Sequence, residues 1–301
     1  MTPLTRKWFI TDFWTLTNMT IPSPIFVAHL FRDVSQRLVT LLRSLDEEEW
    51  HLPTLSSERQ VKDIASHLLD GSLRRLSMQR DRYRPQNESS QPRANEPLLD
   101  FLNRLNTEWE TATRRLSPQV IITLIEWADE QLADLFESLD PFGPAIFPVA
   151  WTGEHESPNW MDVARDYTEK WHHTQQIFDA TGRSSTLTER RLFYPCVDIF
   201  MRALPFTFRN VDAPEGSIVS VTITGEAGGE WFVARYGQSW VQATEAAATP
   251  IARFTISQDS AWKLFTKRLD RSEALRRFPC ITIDGDIDLG SQVIEMVSVM
   301  A

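Results

Sequence analysis

The period of hydrophobic residues along the chain changes once, near residue 212. Upstream, apolar residues recur at helical steps. Phe26, Leu30, Val34, Leu38, Leu41 and Leu42 follow one another at three- and four-residue intervals, which gathers them on one helix face. The stretch SSERQVKDIASHLLDGSLRRLSMQR opens with serine and glutamate, a plausible helix start, and continues with Val61, Ile64, Leu68, Leu69, Leu73 and Leu76. A polar, proline-bearing loop, RYRPQNESSQPRANEP, separates it from helices expected over about 97–115 and 117–139. Ser117-Pro118 reads as the N-cap and first residue of the second of these. The segment LDPFGPAIFPVAWTGEHESP carries four prolines and two glycines and reads as irregular. A helix then spans about Asn159 to Ala180 and stops at Thr181-Gly182. A last one, over about 187–207, is expected to be interrupted or kinked at Pro195 and ended near Pro205.

Beyond NVDAPEG the period becomes two. Val219, Val221 and Ile223 alternate with Ser220, Thr222 and Thr224, and EWFVARY, SWVQAT and IARFTISQ read as further strands. Gly228-Gly229 and Tyr236-Gly237 read as turns. DSAWKLFTKRL predicts a short helix, CITIDGD a strand, and IDLGSQVIEMVSVMA a closing helix with Leu289, Val293, Met296, Val297 and Met300 on its apolar side. The expected architecture is a helical bundle followed by a smaller α+β domain. The expected boundaries are an extension over 1–18, a bundle over 19–210 and an α+β domain over 211–301, with Met19 as a natural domain start.

Composition narrows the possibilities. The chain is 42% hydrophobic and 24% charged, which is that of a soluble globular protein. Its 31 Lys+Arg against 41 Asp+Glu give a net charge of −10 and argue against nucleic acid or an anionic membrane surface as partner. No run reaches the roughly 18 apolar residues that suggest a membrane span. Two cysteines, Cys196 and Cys280, are too few for a disulfide framework or a cysteine metal cage; both read as core fillers, and the expected compartment is the cytoplasm. IDGDIDLG lacks the length and terminal glutamate of a calcium loop, and GEAGGEW has no helix after it to make a dinucleotide site.

The candidate chemistry lies in DYTEKWHHTQQIFDATG. Glu169 and His173 sit one helical turn apart and can turn a carboxylate and an imidazole toward one point. That pairing serves metal sites in helix bundles, yet it also occurs on ordinary solvated flanks. His67 falls on the inward face of its own helix, in step with Ile64, Leu68 and Gly71. An inward histidine is commonly a satisfied core residue. If the two helices adjoin, two histidines and one carboxylate leave a metal an open position, as in catalytic zinc sites. His172 points away from the pair on a helical wheel. Arg74, Arg75 and Arg165 flank the candidates as cations for an acidic substrate and read as surface residues.

VKDIASHLLDGSLRRLS and ARDYTEKWHHTQQIFDATG together resemble the mycothiol-dependent maleylpyruvate isomerase family, part of the DinB-like helix-bundle superfamily. The resemblance covers about residues 20–182, and the tail after 212 resembles the sterol-carrier-like domain often joined to it. It implies that His67, Glu169 and His173 bind a divalent metal, usually zinc, with nickel as an alternative. His172 takes the variable position before the last ligand. It implies a low-molecular-weight thiol such as mycothiol as cofactor, activated as thiolate for isomerisation or transfer on a small electrophile. Arg268 loosely matches a basic residue that the family contributes from its second domain. One departure stands out: Arg59 occupies the place where the family carries tryptophan. Two other functions stay open at this point: a noncatalytic carrier of an apolar ligand in the second domain, and a metal-binding bundle with a regulatory or stress role.

Overall fold

The structure is a computed structural model that describes residues 22–56, 58–85, 91–266 and 269–298. The expected extension, Met19 and Arg268 lie outside the described residues.

Four helices form the bundle: α1 (Phe31–Arg43), α2 (Val61–Arg75), α4 (Pro118–Ser138) and α5 (Asn159–Ala180). They close a ring in which α1 and α2 each touch both α4 and α5, so α4 and α5 face each other across its interior. A further helix, α3 (Leu98–Thr113), leans on the outside of α2. The core takes in most of the predicted stripes: Val34, Leu38, Leu42, Val61, Ile64 and Leu69 are buried, with Ile121 and Ile125 of α4 beside them, while Phe26 is exposed. Ser117 caps α4 as expected, accepting the Val120 N–H with Pro118 in the first turn. The start of α2 differs from the expectation. It begins at Val61, with the Asp63 carboxylate accepting the Gln60 N–H at 3.0 Å, because Ser56 belongs to a turn that returns through a bridge between Pro53 and Gln60.

The segment beyond α5 is not interrupted at Pro195. Helix α6 (Arg190–Met201) runs continuously through Pro195, and Pro205 lies in the first turn of the short α7 (Leu204–Phe208) rather than ending a helix. Pro195 is half-buried and the residue whose carbonyl it leaves unpaired, Arg191, is exposed, so water can take the lost bond.

A five-stranded mixed sheet follows: β1 (Ile218–Thr224), β2 (Gly229–Tyr236), β3 (Ser239–Ala243), β4 (Ala252–Ser257) and β5 (Thr282–Gly285), in the order β3-β2-β1-β4-β5. Strand β1 is antiparallel to β2 and parallel to β4, with Val221 opposite both Trp231 and Phe254. Helices α8 (Gln258–Phe265), α9 (Arg271–Arg277) and α10 (Ile287–Ser291) complete this α+β domain. The expected long closing helix is not formed. One turn of 3₁₀ helix follows α10 to Glu295, and the chain then extends so that the Ser298 N–H reaches the Phe265 carbonyl. Leu289, Val293 and Met296 are buried all the same, Val297 is half-buried, and Met300 lies outside the described residues.

The sheet domain packs on the bundle through α8. The Trp262 ring meets Trp171 edge-on at 6.2 Å and His172 at 5.6 Å, and Lys263 pairs with Asp179 at 2.6 Å. All three partners, Trp171, His172 and Asp179, lie on α5, the helix that carries Glu169 and His173.

Candidate metal centre

Helix α5 owes its length to a clean stop and a firmly seated outer face. Gly182 adopts φ +64°, a left-handed conformation that glycine takes without strain, and the chain turns back so that the Arg183 N–H reaches the Phe178 carbonyl. Tyr167 Oη and Trp171 Nε1 donate to the carbonyls of Leu192 and Leu187 at 2.7 and 2.9 Å. These bonds turn the opposite side of α5 toward α2.

The structure brings His67, Glu169 and His173 together: one ligand atom from each lies within 4.8 Å of the others. The His67 and His173 rings meet edge to face, 4.7 Å between centroids. His173 Nε2 lies 3.3 Å from Glu169 Oε2, while its Nδ1 is 2.8 Å from Gln176 Oε1. If Nδ1 carries the proton and donates it to Gln176, Nε2 presents a lone pair toward a carboxylate oxygen. Two acceptors face one another there, an arrangement that favours a cation between them.

His67 adds a third donor. Burial and the neighbouring His173 hold its imidazole well below the ordinary pKa of 6.5, so it stays neutral, and its Nδ1 has no hydrogen-bond partner among the described residues. Buried polar atoms in folded proteins are almost always partnered. Two imidazoles and one carboxylate form a donor set that suits zinc. The residues present fit a divalent metal.

Several expectations need correcting. His172, expected to point away from the pair, packs beside it: it is 4% exposed, with its ring 4.9 Å from His173 and against Trp262. Of the arginines read as surface residues, Arg75 and Arg165 are largely buried, while the Arg74 side chain is 35% exposed. Arg75 is 3% exposed, wedged between the Phe136 and Phe147 rings at 5.3 Å from each, and binds Asp162 and Asp166 at 2.8 Å. Arg165 pairs with the same two aspartates and Arg74 with Asp70. Three arginines are thus matched by three aspartates, and none of them offers an unpaired charge to an acidic substrate. Arg59, the departure from the family pattern, is held by Glu110 of α3 at 2.8 Å. Cys196 is buried as expected, but Cys280 is exposed. Gln176 has a place at the site that the sequence pattern did not reveal. The available signal was its spacing, one turn beyond His173.

Residues 31–178 match a family model described as the mycothiol maleylpyruvate isomerase N-terminal domain. Among solved structures, a point mutant of the mycothiol-dependent maleylpyruvate isomerase superposes with a TM-score of 0.51 at 12% identity, over 85% of this chain and 91% of that one. A second structure of that isomerase aligns at 12% identity with a TM-score of 0.47, over 79% and 86% of the two chains. A UbiJ-SCP2 ubiquinone synthesis protein aligns at 16% identity with a TM-score of 0.25, over 34% of this chain and 93% of its own. No curated protein sequence matches the chain. At 12% identity the superposition with the point mutant speaks for the fold alone.

Proposed function

Because residues 31–178 belong to the mycothiol maleylpyruvate isomerase N-terminal domain family, we propose that this chain is a metal-dependent enzyme that activates a low-molecular-weight thiol. The activated thiol acts on a small electrophile, by isomerisation or by transfer. The observation that carries the reading is the convergence of His67, Glu169 and His173 within 4.8 Å, with His173 Nε2 and the Glu169 carboxylate facing each other.

His67, Glu169 and His173 would hold the metal, zinc by donor type, with nickel as the alternative that imidazole also suits. A divalent ion bound there would favour the thiolate form of a coordinated thiol near neutral pH. The protein's part is to keep the donors ready. His67 stays neutral through burial and the proximity of His173, so a nitrogen lone pair is available without loss of a proton. With Nδ1 protonated, His173 donates a hydrogen bond to Gln176 Oε1, which aims Nε2 at the site. Glu169 supplies a negative charge that offsets part of the ion's, and its side chain, 28% exposed against 11% for His173, marks the open side. Three protein ligands leave coordination positions for the thiol sulfur. Mycothiol is the thiol that the family name points to, and a small unsaturated acid such as maleylpyruvate is the corresponding substrate class.

Elemental mass spectrometry of the purified protein tests this, with His67→Ala and His173→Ala beside the wild type. About one zinc or nickel per chain, lost in both variants, is expected from a three-ligand site. Loaded protein should then consume an electrophile only when a thiol is supplied. A protein that is isolated empty and takes up no added metal overturns the reading.

A further inference from the structure

A second polar cluster lies inside the bundle. Lys170 Nζ of α5 is ion-paired with the Asp129 carboxylate of α4, and Ser72 of α2 donates to the other Asp129 oxygen at 2.8 Å. Lys170 and Asp129 are each 4% exposed and Ser72 is 3% exposed. The cluster thus joins three helices at the centre of the ring, including the diagonal pair, α4 and α5, that the apolar core alone does not bring side by side. Replacing a buried ion pair with apolar side chains of similar volume is often neutral or stabilising, so stability alone gives this trio little reason to exist. Its best-attested use elsewhere is to fix register.

Its place along the helices says what that register serves. Lys170 directly follows Glu169 on α5, and Ser72 lies little more than a turn beyond His67 on α2. Rotating a helix by about 20° moves a side-chain tip, about 5.5 Å from the axis, by about 2 Å. Ligand atoms around zinc must lie within about 0.2 Å of their ideal distance. Tyr167 and Trp171 anchor α5 only on its far side. Arg75 of α2 ties the first half of α5 through Asp162 and Asp166. Lys170 is a second inward polar tie, next to the ligands in sequence, and Ser72 fastens α2 to the same carboxylate.

We propose that Lys170, Asp129 and Ser72 are positioning residues: they set α5 against α2 so that His67 meets Glu169 and His173 at metal-binding distance. The inference rests on the metal-site reading above. The variant Lys170→Met/Asp129→Leu removes both charges and keeps the volume close. It should unfold at the wild-type temperature without metal, bind zinc at least tenfold more weakly in a chelator competition, and show an altered visible spectrum when loaded with cobalt(II). A purely structural trio would shift the unfolding temperature and leave affinity and spectrum alone. Lys170→Met/Asp129→Asn, which keeps a partner for Ser72, stands in if the first variant does not fold, with the same two readouts. Zinc affinity within twofold of wild type and an unchanged cobalt spectrum overturn the proposal while the metal site stands. Failure of the wild type itself to bind zinc or cobalt removes the site and this role together.

Discussion

His173 and Gln176 are joined, Nδ1 to Oε1 at 2.8 Å, one turn apart on α5, and this contact decides which ring nitrogen faces Glu169. A ligating histidine whose other nitrogen is held gains both orientation and basicity, and loss of such a partner costs about 10–100-fold in metal affinity. Gln176→Leu should therefore weaken zinc binding by at least about tenfold. Gln176→Glu should retain it, because a carboxylate accepts the same proton. Isothermal titration with zinc decides this, and equal affinity in Gln176→Leu would show that the amide plays no part in the site.

Arg75 carries the sharpest stability prediction. Its guanidinium lies between Asp162, itself 1% exposed, and Asp166, and both carboxylates depend on it. Removing one member of a buried pair leaves the other charge uncompensated, a loss of about 3–5 kcal/mol. Arg75→Met should cost that much in urea unfolding. The exposed Arg276–Glu273 pair offers the contrast: Arg276→Met there should leave the urea midpoint essentially unchanged. A small effect at Arg75 would mean that Arg165, bound to the same aspartates, compensates for it.

The contrast between these arginines shows what the sequence could convey. Helical spacing recovered α3, α4 and α5 nearly to the residue, and alternation recovered the strands, because both follow from which face is buried. His67, Glu169 and His173 were legible as a trio through their motifs, and the structure places them together. The burial of Arg75 was not legible. Arginine is usually exposed, and nothing local shows that Asp162 and Asp166 on a helix far along the chain will enclose it. The same holds for His172, buried by Trp262 from the sheet domain. The tail after Ser291 looked helical because its apolar spacing suits a helix, yet pairing of Ser298 with Phe265 draws it out into an extended segment. In each case a long-range partner overrides a local pattern.

Acid should expose the same charge cluster. Burial pushes the Asp166 carboxyl up, but Arg165 and Arg75 outweigh it and hold the pKa below the ordinary 3.8. With a depressed folded-state pKa, the unfolded chain binds its proton first. The contribution of Asp166 to stability is thus complete above pH 3.8 and is lost as pH falls from there through the folded-state value. Urea midpoints for wild type and Asp166→Asn should converge on acidification across that window, the wild type losing more. Parallel curves would place the acid sensitivity elsewhere.

Cys280 supplies the last prediction, and it reverses the reading of that residue as core. Its thiol is exposed, with Sγ 3.3 Å from Ser260 Oγ and 3.5 Å from Ser257 Oγ, at the start of α8. Partial burial pushes its pKa up, but the two serine hydroxyls more than offset this and leave it below the usual 9.0. Cys196 has the opposite surroundings: it is fully buried, and desolvation followed by the charge of Glu169 pushes its thiol well above the usual value. Thiolate fraction and access together set the rate of thiol chemistry, so the two residues should behave very differently. Ellman's reagent should titrate one thiol rapidly in the native protein and the second only after unfolding. Cys280→Ser should remove the fast phase, Cys196→Ser should leave it unchanged, and Ser260→Ala should slow it by raising the thiol's pKa. A fast phase that survives Cys280→Ser would place the accessible thiol at Cys196 and contradict the packing of α6 against α5.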